Sequence, residues 1–109
     1  MEKIVERNLL YDFYGELLNK HQKQIYEDSA YGDLSLSELA DTYEISRQAV
    51  HDVLKRCDKQ LMGYEEKLHL ISRFREVKEL TGEISELVRN EQPDRNEILK
   101  RTDRILELL

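Results

Sequence analysis

A chain of 109 residues has room for one domain, or for one domain with an appendage. Apolar residues make up 39 % and allow only a thin core, while 37 % charged residues, one Pro and four Gly leave long breaker-free stretches that favour helices with charged outer faces. The formal net charge of −6 runs against nucleic-acid binding, which usually goes with excess Lys and Arg.

The acidity is uneven. Residues 1–45 hold ten acids and four bases, and residues 61–109 hold eleven acids and nine bases. Residues 46–60 reverse the balance, with Arg47, Lys55, Arg56 and Lys59 against Asp52 and Asp58. The single cysteine, Cys57, excludes an internal disulfide and fits a reducing compartment. The stretch Met1 to Arg7 has no apolar run of signal-peptide length, and no later segment approaches the ~20 apolar residues that span a bilayer. A soluble, cytoplasmic protein without membrane insertion is expected.

In chain order, residues 3–18 read as a first helix, with Ile4, Leu10, Phe13, Tyr14, Leu17 and Leu18 as its apolar stripe. Gly15 is either a close contact or a weak spot. Asn19 caps a second helix to about Ser29, with Ile25, Tyr26 and Ala30 inward. Tyr31, Gly32 and Asp33 make a turn. Ser37 is taken to cap a short third helix, Glu38 to Tyr43, and Glu44 and Ile45 form a tight connection. Ser46 caps a fourth helix from Arg47 to about Gln60. A long helix follows from Tyr64 to Arg89, then a polar loop from Asn90 to Pro93. Asp94, at capping-box spacing from Glu97, starts a last helix. Gly63 either marks a hinge or is passed in helical conformation, and Gly82 poses the same alternative. Leu70, Val77 and Ile84 repeat at seven residues, as do Leu80 and Leu87. Ile98, Leu99, Thr102, Ile105, Leu106 and Leu109 give the facing seam, and the short loop makes the two helices antiparallel neighbours.

Residues 36–56 carry the functional pattern. Two short helices crossing at about 90–120° must bury a shared wedge. Leu36, Leu39, Ala40 and Tyr43 supply one side of it, Val50, Val53 and Leu54 the other, and Ile45 plugs the turn. Ala40 is small where the helices approach most closely. Glu44 holds a turn position where the backbone tends to be left-handed and Gly is usual, at a cost of roughly 1 kcal/mol for a non-Gly residue, so the turn is either slightly strained or differently shaped. The second helix then presents Arg47, Gln48, His51, Asp52 and Lys55 outward, as a recognition helix does in the major groove. Arg47 suits guanine and Gln48 adenine. Lys55, Arg56 and Lys59 suit phosphates, which position a protein without specifying sequence. Together with the capping Ser46, these residues form the expected nucleic-acid site.

Residues 17–57 resemble the region-four helix-turn-helix of bacterial sigma factors, through Leu-Ser-Leu-Ser-Glu-Leu-Ala at 34–40 and Ile-Ser-Arg-Gln-Ala-Val at 45–50. The whole chain, including Leu9 to Tyr14, Asp28 to Gly32 and His51 to Tyr64, is similar to the YlxM-type proteins. These are short helical proteins with a helix-turn-helix whose genes neighbour those of the signal recognition particle GTPase. The resemblance implies a regulatory role linked to that pathway.

Other residues read as structure. Cys57 lies on the inward stripe and is expected to be buried and inert. His21, His51 and His69 have no metal-ligand spacing, and no metal or cofactor is expected. The tyrosines at 11, 14, 26, 31 and 43 read as core and rim aromatics. Glu76, Glu79, Glu83 and Glu86 read as a solvated helix exterior. No phosphate loop, carboxylate pair or nucleophile triad can be placed, so no catalytic residue and no enzyme is expected.

The sequence thus predicts an all-α protein. Its parts are a helix-turn-helix domain over 1–62 and a C-terminal helical hairpin over 63–109 that dimerises two copies. It predicts a nucleic-acid-binding regulator, of transcription, whose partner is DNA or alternatively RNA, with the link to the signal recognition particle pathway that the resemblance implies. The alternative is an adaptor that docks the protein or RNA components of the signal recognition particle without sequence-specific DNA binding.

Overall fold

A computed structural model describes residues 3–109, with side chains from Val5 onward. The predicted place of Ile4 in the first apolar stripe lies outside the described side chains. The architecture is all-α, with helices α1 (Lys3–Tyr14), α2 (Lys20–Ala30), α3 (Leu36–Tyr43), α4 (Arg47–Leu68), α5 (Leu70–Val88) and α6 (Arg95–Leu108). Among the described residues no helix is long and apolar enough to cross a membrane. The chain divides into two compact units, one ending at Leu68 and the other spanning His69–Leu109.

In the first unit α4 packs against α1, α2 and α3. Leu10, Tyr14, Leu18, Ile25, Tyr26, Leu39, Val50, Cys57 and Leu61 are buried there. The first α-helix is shorter than the predicted 3–18. It stops at Tyr14 and tightens into a 3₁₀ turn, Gly15–Leu17. Gly15 is buried, and a Cβ placed on it would lie 2.8 Å from the Tyr11 ring, so it is a close contact rather than a weak spot. Leu17, expected inward, is exposed because the change of helix type rotates it off the stripe. Asn19 caps α2 reciprocally with Gln22: Asn19 Oδ1 accepts from the Gln22 N–H at 2.8 Å and Gln22 Oε1 from the Asn19 N–H at 3.1 Å. Ile25 and Tyr26 are buried as expected, but Ala30 is exposed in the last turn of α2.

The start of α3 is corrected by two residues. Ser35, not Ser37, is its cap, because only Ser35 has a Glu three positions on. Ser35 Oγ accepts from the Glu38 N–H at 3.1 Å, and the Glu38 carboxylate accepts from the Ser35 N–H at 3.3 Å, which satisfies two otherwise orphan donors. Leu36 therefore sits in the first turn of α3 and is exposed, leaving the wedge to Leu39, Ala40 and Val50, with Leu34, Tyr43, Ile45 and Leu54 packed around them.

The largest difference concerns the second half. α4 does not end near Gln60 but runs through Gly63 to Leu68. The break before α5 falls at His69, whose φ is 55°. Histidine is among the non-glycine residues enriched in that left-handed conformation. The helix predicted over 64–89 is therefore two, and Gly82 lies inside a continuous α5. Asp94 caps α6 by accepting from the backbone N–H groups of Asn96 and Glu97 at 3.1 and 3.2 Å.

α5 and α6 pack as a hairpin, and Val77, Leu80, Ile84 and Leu87 of α5 and Ile98, Thr102 and Ile105 of α6 are all half-buried. Leu99, Leu106 and Leu109, read as part of that seam, are exposed, as is Leu70. Two of the acids read as solvated exterior instead tie the hairpin together. Glu83 accepts from Arg101 Nε at 3.2 Å, and Glu76 accepts from Arg104 Nε at 2.9 Å.

Candidate nucleic-acid interface

The helix-turn-helix depends on how α3 stops. Its last turn ends on Glu44, at φ 55° and ψ 43°, whose N–H reaches the Ala40 carbonyl. The Ile45 N–H bonds the same carbonyl at 3.1 Å. This reversal turns the chain within three residues, and the left-handed geometry expected at Glu44 is the one observed. Ser46 Oγ then accepts from the Ala49 N–H at 3.0 Å and caps α4. Behind the turn, Tyr43 donates its hydroxyl to Asp28, which pushes the phenol up to about 12 and ties the end of α3 to α2.

α4 advances by about 100° per residue. Val50, Cys57 and Leu61 share its buried face. Burial pushes the Cys57 thiol upward, in keeping with an inert side chain. Roughly half a turn away, Gln48, His51, Asp52, Lys55 and Lys59 fall within one arc of roughly 100°. All five are exposed. Arg47 and Arg56, also exposed, flank this arc on opposite edges rather than joining it. The eight predicted residues are therefore all at the surface, with Ser46 serving as cap, but they occupy a central strip and two borders.

Within the strip, Gln48 Nε2 donates to Asp52 Oδ1 at 2.9 Å. That contact fixes which end of the amide is donor and which acceptor. The amide keeps a second N–H donor and its carbonyl acceptor. Among the described residues, Arg47, Lys55, Arg56 and Lys59 form no ion pair, whereas Arg89, Lys100, Arg101 and Arg104 of the hairpin are all paired with glutamates. The cationic groups of α4 are thus exposed and outside the ion-pair network of the described residues. Among the described residues no group of three or more His, Cys, Asp or Glu is arranged to hold a metal ion.

One neighbouring residue was not found by sequence pattern. Arg7 of α1 donates from Nε to Asp58 Oδ1 of α4 at 3.2 Å, and its guanidinium carbon lies 5.4 Å from the centre of the Tyr26 ring. Arg7 and Asp58 are 51 positions apart, beyond the reach of any local motif.

Comparison with known proteins agrees with this geometry. Residues 1–105 match the family model UPF0122, described as "Putative helix-turn-helix protein, YlxM / p13 like". The chain is 48 % identical over 88 residues to a UPF0122 protein of Bacillus pumilus, covering 81 % of this chain and 80 % of the relative. It is 45 % identical over 87 residues to the UPF0122 protein YlxM of Bacillus subtilis, covering 80 % and 79 %. It is 43 % identical over 108 residues to a UPF0122 protein of Desulforamulus reducens, covering 98 % and 92 %. With nearly the whole length matched and the helix-turn-helix in place, the chain belongs to the UPF0122 family of YlxM / p13-like helix-turn-helix proteins.

Proposed function

We propose that this protein is a cytoplasmic, non-enzymatic regulator of transcription that binds duplex DNA through α4. The observation that carries the reading is the exposed, unpaired cationic surface on the first three turns of a capped recognition helix, in a chain that is otherwise acidic. Arg47 and Gln48 read base edges from the helix N-terminus, with His51 and Asp52 beside them. Lys55, Arg56 and Lys59 meet phosphates. Binding should weaken steeply as salt rises, because each phosphate contact releases counterions. Arg47→Ala should cost ~1–3 kcal/mol and relax preference at one base pair, while Lys59→Ala weakens all sequences alike. If neither substitution alters binding, α4 is not the contact surface.

The reading includes a homodimer. On α5, Leu70, Phe74, Val77, Thr81, Ile84 and Val88 recur at alternating spacings of four and three. On α6, Leu99, Thr102, Leu106 and Leu109 do the same. In an antiparallel pair both stripes turn to the same side, about a sixth of a turn from the internal seam, with which they share Val77, Ile84 and Thr102. Val88, Leu99, Leu106 and Leu109 are more than half exposed along it. A second copy covering this face makes a four-helix bundle and brings two weakly basic recognition helices to one duplex, at half-sites about one turn apart. Light scattering on the intact chain, on Leu99→Glu/Leu106→Glu, and on a truncation ending at Gln92 tests it. A monomer at micromolar concentration refutes the dimer, and a dimer that survives both changes moves the interface to the N-terminal unit.

The net charge of −6 favours a second reading, in which the same helices dock protein or RNA of the signal recognition particle. This link rests on the resemblance to YlxM-type proteins. Failure to bind any DNA at low salt, together with capture of the particle's GTPase or RNA, would select it.

A further inference from the structure

A recognition helix about 10–12 Å across fills a major groove about 12 Å wide, so its two edges lie against the phosphate walls. With Gln48 and Asp52 of the central strip facing the bases and the longer Lys55 and Lys59 side chains reaching from it to phosphates, Arg56 marks one wall. On the opposite edge, below Arg47, α4 offers an acid, Asp58, which would repel the phosphates there. The structure answers this from another helix. An open depression of about 340 Å³ lies along that edge, where α1, α2, α3 and α4 meet. Arg7, Ser29, His51, Lys55 and Asp58 are its polar lining, with Leu36 and Leu54 beside them.

We infer that this depression seats a backbone phosphate of the duplex that α4 enters, with Arg7 and Lys55 as its cationic ligands. The inference rests on the DNA-binding reading above and extends the interface onto α1, which no helix-turn-helix pattern in the sequence includes. Asp58 takes one of the five N–H donors of the Arg7 guanidinium and leaves the fork able to meet an anion. The Tyr26 ring lies 5.4 Å below it and limits its orientations. The Arg7 charge cancels that of Asp58, so Lys55 leaves the depression net positive, and Ser29 and His51 can each donate a hydrogen bond. The ion pair thus has a consequence outside folding, because it neutralises the one acid on this border of the recognition helix.

The test is salt-dependent binding of the full-length chain to a mixed-sequence DNA duplex, comparing wild type with Arg7→Gln and Asp58→Asn. The pair is partly exposed, with side-chain accessibilities of 42 % and 35 %, so neither change should unfold the protein. Arg7→Gln should flatten the plot of log affinity against log salt by about 0.9, one phosphate contact. Its deficit should then shrink about threefold between roughly 50 and 200 mM salt. Asp58→Asn keeps the cation and removes the acid, so it should bind at least as tightly as wild type with no shallower slope. Equal losses in the two variants would mean that the pair is merely structural and would overturn the inference. So would an unchanged slope in Arg7→Gln while Lys59→Ala still weakens binding, which leaves the α4 reading standing. No wild-type binding at low salt removes both.

Discussion

Glu44 is where the helix-turn-helix stores backbone strain, and Glu44→Gly measures it. The residue sits at φ 55° and ψ 43°, and among the described residues its side chain makes no hydrogen bond or ion pair. Its contribution to the turn is the backbone N–H donated to the Ala40 carbonyl, which glycine keeps. Holding an L-residue in the left-handed region costs roughly 1–2 kcal/mol, and glycine escapes that cost. Against this, the glycine-containing unfolded chain has more freedom to lose, roughly 0.5–1 kcal/mol. The balance predicts that Glu44→Gly stabilises the N-terminal unit by about 0.5–1 kcal/mol, or by roughly 2–8 °C in thermal midpoint for a unit of this size. Glu44→Ala is the control, since it removes the same charge and retains the Cβ that causes the strain. Urea unfolding, with amide exchange at Leu39 and Val50 as local reporters of the wedge, reads both variants. If glycine and alanine behave alike, any gain comes from the lost charge, and the strain argument is wrong.

Further outcomes follow from other caps and contacts. Ser35→Ala should cost about 1 kcal/mol by removing the reciprocal cap of α3, whereas Ser37→Ala should leave stability unchanged in the same melts. Gly82→Ala should stabilise α5 by roughly 0.8–1 kcal/mol, because an added Cβ meets nothing within 4 Å and alanine is the better helix former; destabilisation would argue against a continuous α5. The Tyr43 phenol is raised from 10.0 to about 12, first by its hydrogen bond to Asp28, so the neutral form is favoured in the folded state. That stabilisation should be whole below pH 10 and lost as pH rises from about 10 to 12, and Tyr43→Phe should remove this part of the alkaline transition in a denaturation series.

The all-α fold, the order of its elements, the wedge of Leu39, Ala40 and Val50, the cap at Ser46 and the buried Cys57 could be read from the chain itself. Each is written within a few residues, in the 3.6-residue period of an apolar face or in a side chain that reaches its own first turn. The exposed set on α4 was legible for the same reason, since a recognition helix is one continuous element whose outward face is the complement of its buried one. The cap at Ser35 was also written locally, in the spacing to Glu38, and signals of that kind compete with neighbouring serines until the register of the helix decides between them.

The remaining features belong to tertiary structure. Neither His69 nor its neighbours is Gly or Pro, while Gly63 and Gly82 lie inside helices, because the roughly 1 kcal/mol cost of a helical Gly is small enough for the rest of the helix to override. Glu76 and Glu83, still at the solvated exterior, gain their ion-pair partners only once α6 brings Arg104 and Arg101 alongside. The contact of Arg7 with Asp58 of α4 likewise joins residues 51 positions apart. Contacts of that range follow from where whole helices come to rest against a shared core, and no local spacing encodes them.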